Sequence, residues 1–245
     1  MRFITISTLT LLIFSCNNST YDRENTKVSI NDTAQNVMTD TTKKDIIEQI
    51  RVSIKSGFYD KEEIITNIED YLYEIPFDQD WTKHQIDKAY AERLKEQSIW
   101  SAVTDFDKLV QAFDRLNSSE IIALHNAGIT KQDGEGDSKE IHEDLLKKGI
   151  NTKGFCYYHW QDIERVIDDG YLYIGFGDFN NDDKEALEIG KQVASTLESE
   201  GFKLNWDKTV ATRIEITNIK WQKRFGNDNC SYDRTKKLLR KSKIE

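Results

Sequence analysis

The sequence predicts an α+β fold: an N-terminal helical segment, then a mixed or antiparallel sheet of about four or five strands covered by helices. Three observations lead there. Up to about residue 113 the apolar residues recur at the three- and four-residue spacing of helices. Beyond it they fall into short runs rich in Tyr, Phe and Ile and bounded by glycine, the composition of strands. From residue 154 the order reads strand, helix, strand, helix, strand, strand, and such mixed connections lay helices on a shared sheet.

The helical segment, 44–103, opens with Ile46, Ile47, Ile50 and Ile54 on one face and Gly57 where a left-handed cap is wanted. Asp60 and Glu63 have capping-box spacing, and the helix they open turns Ile64, Ile65, Ile68, Tyr71 and Leu72 inward. Pro76 interrupts it. A third helix is expected from Thr82 through Ile86, Ala89, Tyr90, Arg93 and Leu94. The α+β part, 104–226, begins with a helix at Thr104 whose inner face is Phe106, Leu109, Val110 and Phe113. Residues 121–124 read as a strand, 128–136 as a glycine-rich loop, and 138–148 as a helix capped by Asp137 or Ser138. Next come an aromatic strand at 155–160, a short helix at 161–167, a strand at 171–176 and a long helix at 184–200. A hairpin-like pair, 202–206 and 212–219, closes the order. In the aromatic strand Phe155, Tyr157 and His159 alternate with Cys156, Tyr158 and Trp160. One face is expected under helices; the other is either an ordinary half-buried face or a Tyr/Trp binding platform.

Of 245 residues 38% are apolar and 31% charged, with eleven Phe, ten Tyr and five Trp. That composition excludes a multi-span membrane protein, a collagen-like or disulfide-dense scaffold, and a wholly disordered chain. The net charge of -9 is uneven: residues 231–245 carry six basic and two acidic groups, the remainder 28 basic and 41 acidic. An acidic body repels phosphate backbones, so nucleic acid is not an expected partner. The basic tail, 227–245, reads as a solvated helical end or as a contact for anionic lipid or for the acidic body itself.

Met1-Arg2 and the apolar run 3–14 have the form of a signal peptide, too short to span a bilayer as a helix. Its end, Leu12-Ile13-Phe14-Ser15-Cys16, resembles a bacterial lipobox. That resemblance implies cleavage after residue 15, lipidation of Cys16, and a bilayer partner through the attached chains. Residues 16–43, rich in Asn, Thr, Ser and Asp, then read as a disordered tether. The expected location is the bacterial cell envelope, facing the periplasm. In that compartment Cys156 and Cys230 form either a bridge or two free thiols.

A family resemblance covers residues 104–225. It rests on Thr104-Asp105-Phe106-Asp107-Lys108-Leu109 with Ala112-Phe113, and on Ile122-Ala123-Leu124-His125-Asn126-Ala127-Gly128 with Asp133-Gly134. Two further stretches are 154–162, Gly154-Phe155-Cys156-Tyr157-Tyr158-His159-Trp160-Gln161-Asp162, and 170–177, Gly170-Tyr171-Leu172-Tyr173-Ile174-Gly175-Phe176-Gly177, followed by a long helix and Trp221. Together they resemble a bacterial family described as domain of unknown function 6891, whose pattern extends back toward Gly57-Phe58. The resemblance implies a fold unit and no established activity.

Candidate chemistry gathers at the ends of two strands. His125 and Asn126 follow the first, His159 and Asp162 follow the aromatic one, and Asp133 and Asp137 lie between them. If brought together, these imidazoles and carboxylates can bind a divalent metal or act as base and orienter. No two of them share a helix face at metal-ligand spacing. The competing reading is that they cap strand ends, turns and helices. Asp178-Phe179-Asn180-Asn181-Asp182-Asp183 begins like a calcium loop but has Asp183 and Ile189 where Gly and Glu are required, so it reads as an N-cap. No phosphate loop or nucleophile elbow occurs, and no cofactor is predicted. The expected function is a membrane-anchored, non-enzymatic binding domain, accessory or immunity-like, with an unidentified protein partner. The alternative is a small hydrolase or metal-dependent enzyme using those His and Asp residues.

Overall fold

A computed structural model describes residues 38–226 and 228–241. The expected signal peptide, Cys16 and the tether up to residue 37 lie outside the described residues. Where the tether is described, the expectation of disorder is overturned: helix α1 spans Asp40–Ser56, and Met38 is buried ahead of it. The Thr39 hydroxyl accepts from the Thr42 N–H at 3.1 Å, and Asp40 lies in the positive first turn. The helix therefore starts a turn and a half before its first isoleucine, with polar residues on its outer side.

α2 (Lys61–Leu72) and α3 (Gln79–Ser98) complete the helical segment. Gly57 ends α1 at φ +72°, where a Cβ would also stand 2.7 Å from the Lys223 carbonyl oxygen. Asp60 and Glu63 form the expected capping box, with bonds of 2.8 and 2.9 Å. α3 begins at Gln79, ahead of the expected Thr82, because the Asp78 carboxylate accepts from the Trp81 N–H at 2.9 Å. Ile46, Ile50, Ile54, Ile64, Ile68, Leu72 and Ile86 make this segment's core. Tyr71 and Leu94, expected inward, are 55% and 48% exposed. The inward position beside Leu94 is taken by Arg93, whose guanidinium reaches the Lys55 and Trp221 carbonyls.

After α4 (Asp105–Ser118) come β1 (Ile121–Leu124), α5 (Lys131–Leu146), β2 (Gly154–Tyr157), α6 (Trp160–Asp169) and β3 (Leu172–Gly177). α7 (Asp183–Ser199), β4 (Lys203–Asn205), β5 (Ile214–Thr217) and α8 (Tyr232–Lys241) follow. The sheet order is β1-β2-β3-β5-β4, with β1 and β2 parallel and every other pair antiparallel, so the α+β expectation holds. Under α4, α6 and α7 one face buries Ala123, Cys156, Leu172, Ile174, Ile214 and Ile216. The other buries Ile122, Leu124, Phe155 and Tyr157 against Ile141 and Leu145 of α5 and Leu239 of α8. Among the described residues no helix is long and apolar enough to cross a membrane.

Three local expectations are corrected. The aromatic strand stops at Tyr157 because the Asp162 carboxylate accepts from the His159 N–H at 3.2 Å, ending the strand and opening α6. Its second face is no platform, since Tyr157 and Tyr158 are both buried. The glycine-rich stretch is largely helix: Thr130 and Asp133 cap α5, and Gly134 and Gly136 lie within it. Gly134 is there for close approach rather than for turning, because a Cβ would stand 2.3 Å from the Tyr157 ring. Over its described residues, 228–241, the basic tail is docked on the body rather than solvated. Tyr232, Thr235 and Leu239 form a stripe at helical spacing, the Thr235 hydroxyl donates to the Ala123 carbonyl at 3.3 Å, and Arg234 pairs with Asp114 at 3.0 Å.

The two glycines of α5 make opposite predictions. Alanine in a helix interior normally gains about 1 kcal/mol over glycine. Gly136→Ala, whose Cβ meets nothing within 4 Å, is expected to raise the urea midpoint accordingly. Gly134→Ala is expected to lower it, with a loss of about 1–3 kcal/mol of stability, through overpacking against Tyr157. Paired denaturation curves check both.

Candidate functional site

The six candidate side chains divide among separate tasks. His125 leaves β1 and turns into the core on the α4 side, 4.4 Å from the Phe113 ring and 5.8 Å from that of Phe106. Its Nδ1 lies 2.9 Å from the Tyr158 hydroxyl. Burial, reinforced by the positive charges of Lys223 and Arg234, pushes its pKa down to about 3, so it is a neutral core residue. Asn126 occupies the left-handed region at φ +48°, with its Oδ1 buried and without a hydrogen-bond partner. The Asp133 carboxylate accepts from the Ile129 and Thr130 N–H groups at 3.1 and 2.8 Å, and these bonds hold it below the usual carboxylate range. Asp137 accepts from the Tyr232 hydroxyl at 2.7 Å, tying α5 to α8.

Only His159 and Asp162 come together, with Nε2 and Oδ2 3.1 Å apart. The β2–α6 connection that carries them is stitched to the β1–α5 loop by Ala127 N–H to the Tyr158 carbonyl (2.9 Å) and Trp160 N–H to the Gly128 carbonyl (3.0 Å). Asp162 is completely buried. An ionised carboxylate in that position requires cationic partners and hydrogen bonds. Two arginines supply them: Arg213 Nη1 lies 3.0 Å from both carboxylate oxygens, and Arg165 Nη1 lies 3.2 Å from Oδ1. The same Arg213 nitrogen is 3.2 Å from His159 Nε2. Both guanidinium groups lie over the Tyr173 ring, at 4.8 Å for Arg213 and 5.4 Å for Arg165.

Sequence reasoning missed Arg165, Arg213 and Tyr173. The spacing of Asp162 and Arg165, three apart on a helix, was the available signal for one of them. Arg213 arrives from the residue just before β5, 51 residues away, and carries no local signature.

The cluster holds the elements of a base and its orienter without the exposure that proton transfer to a ligand needs. His159 is buried, and its Nδ1 is sealed from solvent without a hydrogen-bond partner. Its pKa is lowered chiefly by burial and further by Arg213 and Arg165, with Asp162 opposing. Among the described residues no three His, Cys, Asp or Glu side chains are grouped to hold a metal ion. Asp182 caps α7, accepting from the Lys184 N–H at 2.9 Å. Cys156 and Cys230 are free thiols, and burial pushes both thiol pKa values up, so the bridging alternative is set aside.

These features define an α+β domain with a mixed five-stranded sheet, an integral helical segment, and a buried aspartate clasped by two arginines at a strand end. The chain belongs to the family described as a domain of unknown function (DUF6891), which matches residues 39–225 and so takes in the helical segment from the cap of α1 onward. Neither a curated protein nor a solved structure matches it.

His125 makes stability depend on pH with a definite sign. Its pKa falls from 6.5 unfolded to about 3 folded, so below pH 6.5 the unfolded chain binds a proton that the native state refuses. Stability is therefore lost as pH falls from 6.5 toward 3, at up to about 1.4 kcal/mol per pH unit from this one group. His125→Gln is expected to flatten the stability–pH curve by that slope, as measured by urea denaturation between pH 7 and 4.

Proposed function

We propose that this chain is a lipid-anchored protein of the bacterial envelope whose α+β body is a non-enzymatic binding module, accessory or immunity-like in role. One observation carries the binding reading. α5 packs on β1 and β2, and beyond it the same sheet face presents a row of partly exposed polar and aromatic side chains. Tyr173 of β3 faces Glu215 of β5 in register, Glu215 faces Asn205 of β4, and Thr217 faces Lys203. Arg213 extends this row beside Tyr173. Meanwhile the imidazoles and carboxylates singled out from the sequence serve caps, core and ion pairing. The anchor reading rests on the lipobox-like residues 12–16 and a polar stretch before α1.

The His159–Asp162 pair favours a second reading, a small hydrolase or metal-dependent enzyme. Metal analysis of the purified protein separates the two. The binding module predicts no stoichiometric metal in the wild type, His125→Ala or His159→Ala, and a bound metal lost in those variants overturns it. For the anchor, wild-type protein made in a bacterial host is expected to incorporate an alkyne-tagged fatty acid and Cys16→Ser to incorporate none. Labelling that persists in the variant refutes the assignment.

A further inference from the structure

We propose that Arg165 and Arg213 form a carboxylate-binding clamp on the open half of the sheet. The inference deepens the reading of that face as the binding surface and rests on it. Asp162 is satisfied without Arg165: the His159 N–H approaches it at 3.2 Å, and Arg213 Nη1 lies 3.0 Å from each oxygen. Arg165 adds a second cation to one buried carboxylate, so with His159 neutral the cluster carries a net positive charge within an otherwise acidic body.

Both guanidinium groups reach the surface, with side chains 35% and 29% exposed. Their hydrogen bonds engage only Nη1, so among the described residues Nη2 and Nε of each arginine remain donors without a protein partner. Because both Nη1 atoms sit on the same oxygen, Oδ1, the two groups are held side by side. Tyr173 beneath them limits their motion further. Donors fixed in this way bind without first losing side-chain freedom, and a guanidinium fork matches the planar geometry of a carboxylate.

The charge balance selects the ligand. Two arginines on one carboxylate leave a single cation in excess within the clamp itself, which suits a monoanion. A phosphate monoester would bring nearly two negative charges beside Glu215, which faces Tyr173 across the strand pair, and near Asp133, which acts on His159. The aromatic ring at the site suits an organic acid with an apolar body. Two sources share that chemistry, a small organic acid and the C-terminus of a peptide.

The test uses the full-length chain, isotope-labelled and purified in non-ionic detergent, titrated by NMR while the Arg165 and Arg213 side-chain N–H groups and the Tyr173 amide are followed. The probes are acetate, an N-acetylated tripeptide ending in phenylalanine, its C-terminally amidated twin, and inorganic phosphate. Saturable shifts at these three residues with the free-carboxylate peptide, and at least about tenfold weaker binding of the amidated twin, are expected. Arg165→Gln, which leaves the Arg213–Asp162 pair in place, is expected to weaken the carboxylate peptide by a similar factor. Acetate binding as well as the peptide supports the clamp and assigns it to small acids; a peptide preference above tenfold supports it and assigns it to chain termini. Equal binding of the amidated twin, or no saturable shift with any carboxylate, overturns the proposal. Arg165-dependent binding of phosphate alone also overturns it, while leaving the open sheet face as the binding surface.

Discussion

A carboxylate removed from water must find its charge and hydrogen-bond partners inside the protein, and Asp162 finds them in three residues. His159, at the cap of α6, supplies its N–H and its ring, Arg165 comes from the next turn of α6, and Arg213 from the residue just before β5. Satisfying this one group fixes where β2 stops, where α6 begins and how β5 sits against β3. Tyr173, on β3, lies under both guanidinium groups. Removing Arg213, which reaches both oxygens, would leave that buried charge uncompensated, which typically costs about 3–5 kcal/mol.

Aromatic rings set the second constraint. Tyr157 lies over β3 at Gly175, where a Cβ would be 2.7 Å from its ring, and against α5 at Gly134. Phe155 does the same over Gly177. The glycines that bound the strands are thus the floor on which large rings lie flat, and α5 closes on β2 through the same device. That packing confines α5 to one half of the sheet and leaves the β3–β5–β4 half open.

What was legible in the sequence was local. The Asp60–Glu63 box, the Gly57 cap, the helix at Thr104 and the Asp182 cap each declare themselves within three or four residues, and the structure has them where the spacing puts them. The Thr130–Asp133 box has the same spacing but is followed by Gly134 and Gly136, whose turn-forming character outweighs it until Tyr157 is known to lie alongside. The docked stripe of α8 is masked by six basic residues in 231–245. At the candidate site Asp162 and His159 could be named, since both follow a strand. Their decisive partner, Arg213, is joined to them only by the sheet order, and the separation of His125 depends on which side of the sheet each residue turns to.

The segment from Ile219 to Phe225 belongs to two cores at once. The Trp221 indole donates to the Ser56 carbonyl at 3.0 Å, and the buried Lys223 ammonium donates to the Gly57 carbonyl at 2.8 Å beside the Phe58 ring. Phe225 stacks on Tyr90 of α3 with ring centroids 4.1 Å apart. The chain thus returns from the sheet to close the helical segment that it laid down first, and the family boundaries at 39 and 225 fall at the two ends of this closure. A cut at residue 104, where composition places the domain boundary, would leave the carboxyl-terminal piece with an exposed indole and an ammonium stripped of its carbonyl, and the helical piece without the ring that completes it. Each part therefore completes the other's core.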